Sequence, residues 1–557
     1  MPIAHKRPKA KPTRPKLVDL GNVALSSLND IIPSDAETRK IKASLNHAIL
    51  ELEQLESNIS RTQRRLDSLR SRRDALLGCT ERYQIAIAPY KRLPPEILRE
   101  IFFACLPETV HLPPRLDEAP LLLTRVCSSW RMLALSTQEL WCNFEVALSA
   151  RARRNYHAMG ALNTWLSRCP DRPISFRIHA APRAPFPLPG IRHPILPIDL
   201  IIPHTFRIRT LDLQNISGEQ MYALITLPLG SFPMLETFDI FLRDSWMFRV
   251  EPWEATAFQD AKRLRSVAIR GFDGTFNPAA LNLPWDQLRI LHLDTLLSDP
   301  VGCHAMLTLC AELQEASIRI MRIEDSSSRL MARLPPTRLP KLRSLLVRFE
   351  STASHGKFMK PLELPALHTL QTRFDWRNDA IGSDDATTSC YTDLIERSAC
   401  PIQRLSIGRN SLELDFGRLL EVARDLRELG LADHVRVPTE VWAKMGRGEL
   451  GAKLERLAMD VALVDPLLNM LEARVGLHRN ANGAQCILGG LEIPSCSCLP
   501  RASESSMVLD NAGEPKSVLK EIKLGCPKPN FQQKWRMECL EKAGLKIWLC
   551  HYGFFER

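Results

Sequence analysis

The chain of 557 residues is too long for one compact core, and its 45% hydrophobic and 25% charged side chains are those of a folded protein, not a disordered one. Aromatic residues are scarce at 6% and prolines plentiful at 40, which suits many short elements separated by breakers. A net charge of +11 permits contact with phosphates without requiring it, and with no apolar run of about 18 residues the reading expects no membrane partner.

The first segment, residues 1–36, reads as a disordered basic arm. Its charge lies between His5 and Lys16, where Pro8, Pro12 and Pro15 prevent a helix. It suits either a nuclear-import signal or a solubilising tail. The 15 cysteines are scattered, with Cys105, Cys127 and Cys310 inside apolar runs. Free thiols in a reducing compartment, cytoplasmic or nuclear, are expected.

Residues 37–80 read as a coiled coil. Seam positions recur at alternating spacings of four and three at Ile41, Leu45, Ala48, Leu52, Leu55, Ile59, Thr62, Leu66, Leu69, Arg73 and Leu76. The core of this seam is Ile41, Leu45, Leu52, Leu55, Ile59, Leu66 and Leu69. Such a stripe needs a partner surface, either a second copy of the chain or the chain's own body. The helical signal fades near Gly78 and Pro89.

A compact motif follows over residues 88–146. Leu93, Pro94, Pro95, Glu96, Ile97, Leu98, Arg99, Glu100, Ile101 and Phe102 predict a short helix started by proline, with Ile97, Leu98, Ile101 and Phe102 on its apolar face. A proline-containing connection with Pro107, Pro113 and Pro114 leads to a second helix, expected to turn Val126, Trp130, Leu133 and Ala134 inward. Leu140 and Trp141 close the segment.

This run (Leu-Pro-Pro-Glu-Ile-Leu-x-x-Ile-Phe, Val-Cys-x-x-Trp-x-x-Leu-Ala, Leu-Trp) resembles the F-box, in the form abundant in mushroom-forming fungi. Its connection is several residues longer than in many F-boxes. The resemblance implies a three-helix module that binds a Skp-type adaptor and, through it, the cullin scaffold of a ubiquitin ligase. The adaptor-binding positions it implies are Leu93, Pro94, Pro95, Ile97, Leu98, Ile101, Phe102, Val126, Cys127, Trp130, Leu133 and Trp141.

From residue 160 to residue 557 an apolar pattern recurs: one residue, two positions, a second, one position, a third. Copies begin at Ile208, Leu235, Leu264, Leu288, Leu313, Leu342, Leu367, Ile402, Leu426, Leu454, Leu488 and Leu519, with an earlier unit at Ile174, Phe176 and Ile178. This predicts an α/β fold: a leucine-rich-repeat-like solenoid of short strands and variable returns, with a parallel sheet on its concave face. A mixed α/β domain with coincidental matches is the alternative. Pro182–Pro203, Gly382–Ser389 and Ser503–Lys516 read as loops, and Trp535–Phe555 as a terminal cap.

No phosphate-cradling glycine loop, nucleophile elbow or HExxH pair occurs. Cys496 and Cys498, with Cys486, Cys526 and His551, lack zinc-site spacing. The chain is therefore expected to be no enzyme and to need no cofactor or metal. An unknown protein target is expected between the ladder positions, where Arg209, Thr210, Asp212, Arg265, Ser266, Arg270, Arg289, His292, Arg343, Arg348, Arg404 and Arg409 face outward. The frequent arginine suggests an acidic or phosphorylated partner. Nucleic acid ranks below protein because stacking aromatics are few. A dimeric repeat scaffold without a ubiquitin role is the rival reading.

Overall fold

A computed structural model describes residues 32, 34–148, 152–180, 197–243, 255–271, 281–297, 300–320, 333, 335–350, 352–374, 389–408, 414–434, 437–460, 464–479, 486–488, 491–492, 519–526 and 529–550. The chain is α/β and divides into two compact units, Met1–Leu98 and Arg99–Arg557. The basic arm from His5 to Lys16 lies outside the described residues, as do Gly382–Thr388, Ser503–Lys516, Cys496, Cys498, Arg409 and His551.

The first unit holds one long helix, α1 (Asp35–Ala86), of 52 residues. Ser34 caps it reciprocally: its hydroxyl accepts from the Glu37 amide at 3.4 Å, and its own amide donates to the Glu37 carboxylate at 3.0 Å. The helix extends past both expected ends and runs straight through Gly78. A single glycine costs about 1 kcal/mol in a helix interior, too little to stop a helix of this length. None of its residues is buried.

The second unit is built on a parallel sheet of fifteen strands in unbroken sequence order, from β1 (Val110–Leu112), β2 (Asn143–Ala147), β3 (Ile174–His179) and β4 (Ile208–Ile216) to Lys546–Cys550. Side chains alternate across each strand, so one apolar residue in two turns to the same face. In register these residues form rows. One row reads Val110, Phe144, Phe176, Leu211, Phe238, Val267, Leu291, Ala316, Leu345, Leu370, Leu405, Leu429, Leu457, Ile522 and Ile547. All but Ile547, on the last strand, are buried. The neighbouring row has one polar member, Thr372, whose buried hydroxyl is satisfied by the Tyr391 hydroxyl at 2.7 Å.

A second regularity runs along the strand entrances. The carbonyls of Glu236, Arg265, Arg289, Gln314, Arg343, His368, Gln403, Arg427 and Glu455 each accept from two successive amides at the start of the next strand. Each unit thus repeats its neighbour's backbone geometry although side chains and return lengths vary. The returns bury small apolar faces. The helix Gly218–Ile225, capped by Ser217 and Gln220, turns Met221, Leu224 and Ile225 inward.

Four expectations need correction. The connection after Phe102 contains β1, which pairs with β2, so the sheet begins within residues 88–146 and not after residue 160. The copy at Leu488, Leu491 and Ile493 is not a unit. Cys486–Leu488 and Leu491–Glu492 belong to a small antiparallel sheet with Leu477–Arg479, and Ile493 lies outside the described residues. The copy that begins at Leu519 instead supplies the strand Glu521–Gly525, which follows Arg456–Asp460 in the sheet. The expected cap is one more helix and strand, Phe531–Lys542 and Lys546–Cys550, which extend the ladder. Finally, Pro197–Ile201 and Ile202–Arg207 are helical, because proline is tolerated in a first turn; the preceding 181–196 lie outside the described residues.

Candidate functional site

The residues of the Leu-Pro-Pro motif fold as α2 (Pro95–Ala104), with Pro95 at its start. Leu98 and Phe102, four apart on one helix face, are buried, Phe102 completely. Leu93 and Ile101 are half-buried, and Pro94, Pro95 and Ile97 are exposed. The expected second helix is two: α3 (Leu123–Val126) and α4 (Ser128–Ser136). Between them Cys127 is fully extended (φ −159°, ψ 171°), and its sulfur caps α4 by accepting from the Trp130 amide at 3.5 Å. The break frees Val126 from the inward face, and it is exposed, contrary to expectation. Trp130 and Leu133 are half-buried, and only Ala134 is fully inside.

Three of the implied adaptor contacts, Leu98, Phe102 and Trp141, are core residues. Phe102 packs on Trp130 with ring centroids 4.9 Å apart. Trp141 has no exposed surface, donates from Nε1 to the Ala134 carbonyl at 2.9 Å, and meets the Trp165 ring edge-on at 4.6 Å. The Arg168 guanidinium lies 4.2 Å over the Trp141 ring. Phe102 and Trp141, at 0% exposure, offer no surface to a partner. The outward apolar side chains include several that the motif did not name: Phe103, Leu116, Leu122, Met132 and Leu135 join Val126 on the surface, and Met132 is 68% exposed. Their signal in the sequence was indirect. They are the apolar residues left over once the buried face of each short helix is assigned.

The outward row of the sheet is strongly polar, and many of its charges are matched. Glu145 on β2 is almost buried and faces His111 at 3.4 Å, His179 at 3.8 Å and Arg177 at 4.0 Å. Arg177 also holds Asp212 on β4 at 2.7 Å and donates to the Thr109 hydroxyl at 2.6 Å, which ties β1 to the sheet. Arg270 grips Asp239 with two bonds of 3.2 and 2.5 Å, and the adjacent carboxylate holds its pKa above the ordinary arginine value. Arg348 makes two 3.0 Å contacts with Asp294. His292 reaches Glu315 at 3.1 Å, Arg404 reaches Glu428 at 3.4 Å, and Arg209 lies 3.9 Å from Glu236. Arg265 donates to the Lys262 and Leu264 carbonyls. Arg177, Arg209, Arg270, Arg348 and Arg404 thus face carboxylates of other repeat units, which weakens the argument for an acidic or phosphorylated partner.

Among the described residues no group of three or more His, Cys, Asp or Glu side chains could hold a metal, and no helix is long and apolar enough to cross a membrane. No protein-family model matches the chain, and no curated protein matches it.

Proposed function

We propose that the chain is a non-catalytic substrate receptor of the F-box kind. Its short-helix module binds a Skp-type adaptor of a cullin-type ubiquitin ligase, and its sheet binds a protein target. In this reading the repeats form a leucine-rich-repeat-like solenoid, and ubiquitin transfer belongs to other subunits, for which the chain supplies proximity and orientation. One observation carries the proposal. The module that bears the F-box-like motif turns Phe103, Leu122, Val126, Met132 and Leu135 outward while its aromatic anchors point into the core. Apolar side chains gathered on adjoining short helices are what a docking face requires. The target surface is the outward row of the sheet, where matched ion pairs select by shape and position rather than by net charge.

The test is co-expression of the full chain with a Skp-type adaptor, followed by size-exclusion chromatography. A stoichiometric complex is expected with the native chain. Val126→Asp with Met132→Asp should abolish it, weakening binding by at least about a hundredfold, since each desolvated apolar side chain contributes roughly 1.5–3 kcal/mol. Both positions are exposed, so thermal stability should stay within about 0.5 kcal/mol of the native chain. A folded native chain that ignores the adaptor would sink the proposal and leave a non-catalytic repeat scaffold.

A further inference from the structure

We propose that α1 is one half of an antiparallel two-helix coiled coil, formed with a second copy of this chain. The helix carries its whole apolar stripe outward: Leu52, Leu55, Ile59 and Leu69 are each more than half exposed, and no residue of α1 is buried. A stripe of this kind needs a partner helix. Charge decides both the partner and its direction.

With Leu45, Leu52, Ile59, Leu66 and Arg73 at the a positions, the flanking g positions include Glu51, Arg65 and Arg72, and the e positions include Glu56 and Arg70. A parallel dimer pairs each g residue with the e residue five places on in the other copy. That sets Glu51 against Glu56 and Arg65 against Arg70, two like-charge contacts, each repeated by symmetry. Residues 45–60 carry Glu51, Glu53 and Glu56 and no lysine or arginine, whereas residues 61–76 carry six arginines and two aspartates. Their net charges are therefore −3 and +4. Antiparallel pairing lays the acidic half of each copy along the basic half of the other, with Glu51 opposite the Arg65 and Arg72 segment.

The same direction accounts for the one charged residue in the seam. When Leu45 meets Leu76 of the second copy, Leu52 meets Leu69 and Leu55 meets Leu66. Arg73 then falls beside Ala48, the smallest seam residue. Its aliphatic stem can lie in the space that the missing side chain leaves, with the guanidinium in water. The pairing does not depend on the adaptor reading.

Sedimentation equilibrium of the full chain tests the proposal. The expected species has twice the chain mass of 63.1 kDa. Glu51→Arg separates the two directions, because it relieves a clash in a parallel dimer and creates one in an antiparallel dimer. Dissociation should strengthen by roughly tenfold, as two exposed pairs change from attraction to repulsion. Adding Arg65→Glu and Arg72→Glu to that variant should restore the native affinity. A chain that stays monomeric at micromolar concentration, because α1 packs elsewhere, would overturn the inference. So would a tighter dimer from Glu51→Arg, or a mass above that of the dimer.

Discussion

Arg536→Ala is expected to open the C-terminal end of the sheet, at a cost of about 3–5 kcal/mol. Arg536 is only 3% exposed and sits on the helix Phe531–Lys542, yet its side-chain partners among the described residues lie on another helix, Val464–Val475. It meets both oxygens of the buried Glu472 at 2.8 and 3.0 Å, Asp465 at 2.7 Å and the Asn469 amide oxygen at 2.5 Å. Truncation takes the Arg536 guanidinium away from both oxygens of the Glu472 carboxylate, in a site that water barely reaches. The damage should stay local, because each strand of the sheet pairs only with its immediate neighbours. Hydrogen exchange at the Lys546–Cys550 amides is the suitable readout, with protection expected to fall at least about a hundredfold. Glu472→Leu with Arg536→Met should recover most of the loss, since an apolar pair removes the buried carboxylate together with its guanidinium. Unchanged protection in Arg536→Ala would show that the clasp contributes little.

That clasp was not legible in the sequence, because its partners lie 64 to 71 residues apart. The ladder was, because every unit writes its buried positions in the same short pattern, from Leu211 and Leu213 to Ile522 and Leu524. The pattern fails where length or context rather than composition decides. Val110–Leu112 is three residues long and too short for alternation to register, yet it opens the sheet. The Leu488 copy has the right residues, but a nearby strand, Leu477–Arg479, claims Cys486–Leu488 first. Closing that short loop costs less chain entropy than a long return to the sheet. The short-helix module shows the same limit. The motif residues were readable as a set, whereas burial divides them, with Phe102 and Trp141 inside and Ile97 and Val126 outside. The arginines of the sheet looked free because their carboxylates sit a whole repeat away, as Asp239 does from Arg270.

Acid should destabilise the middle of the sheet through two buried histidines. His304 is 1% exposed; its Nδ1 lies 2.9 Å from the Thr337 hydroxyl and its Nε2 3.2 Å from the Phe358 carbonyl. His355 is fully buried among Phe349, Phe374 and Tyr391, with Nδ1 3.3 Å from the Cys390 sulfur. Burial pushes the two imidazoles down from 6.5 to about 4 and about 3. It pushes the Cys390 thiol and the Tyr391 phenol upward, so neither neighbour is charged in acid. The folded chain therefore keeps both rings neutral where the unfolded chain protonates them. Stability is fully present above pH 6.5, falls as pH drops below it, and levels off only below the folded values. The combined loss by pH 4.5 is of the order of several kcal/mol, at about 1.4 kcal/mol per proton per pH unit. Urea unfolding of the native chain and of His304→Leu with His355→Leu, compared at each pH from 7 to 4.5, isolates this term from carboxylate titration. The variant starts less stable at pH 7, because Thr337 and the Phe358 carbonyl lose their partner, but its acid limb should be markedly shallower. Parallel acid limbs would mean that the two rings take no part in the transition.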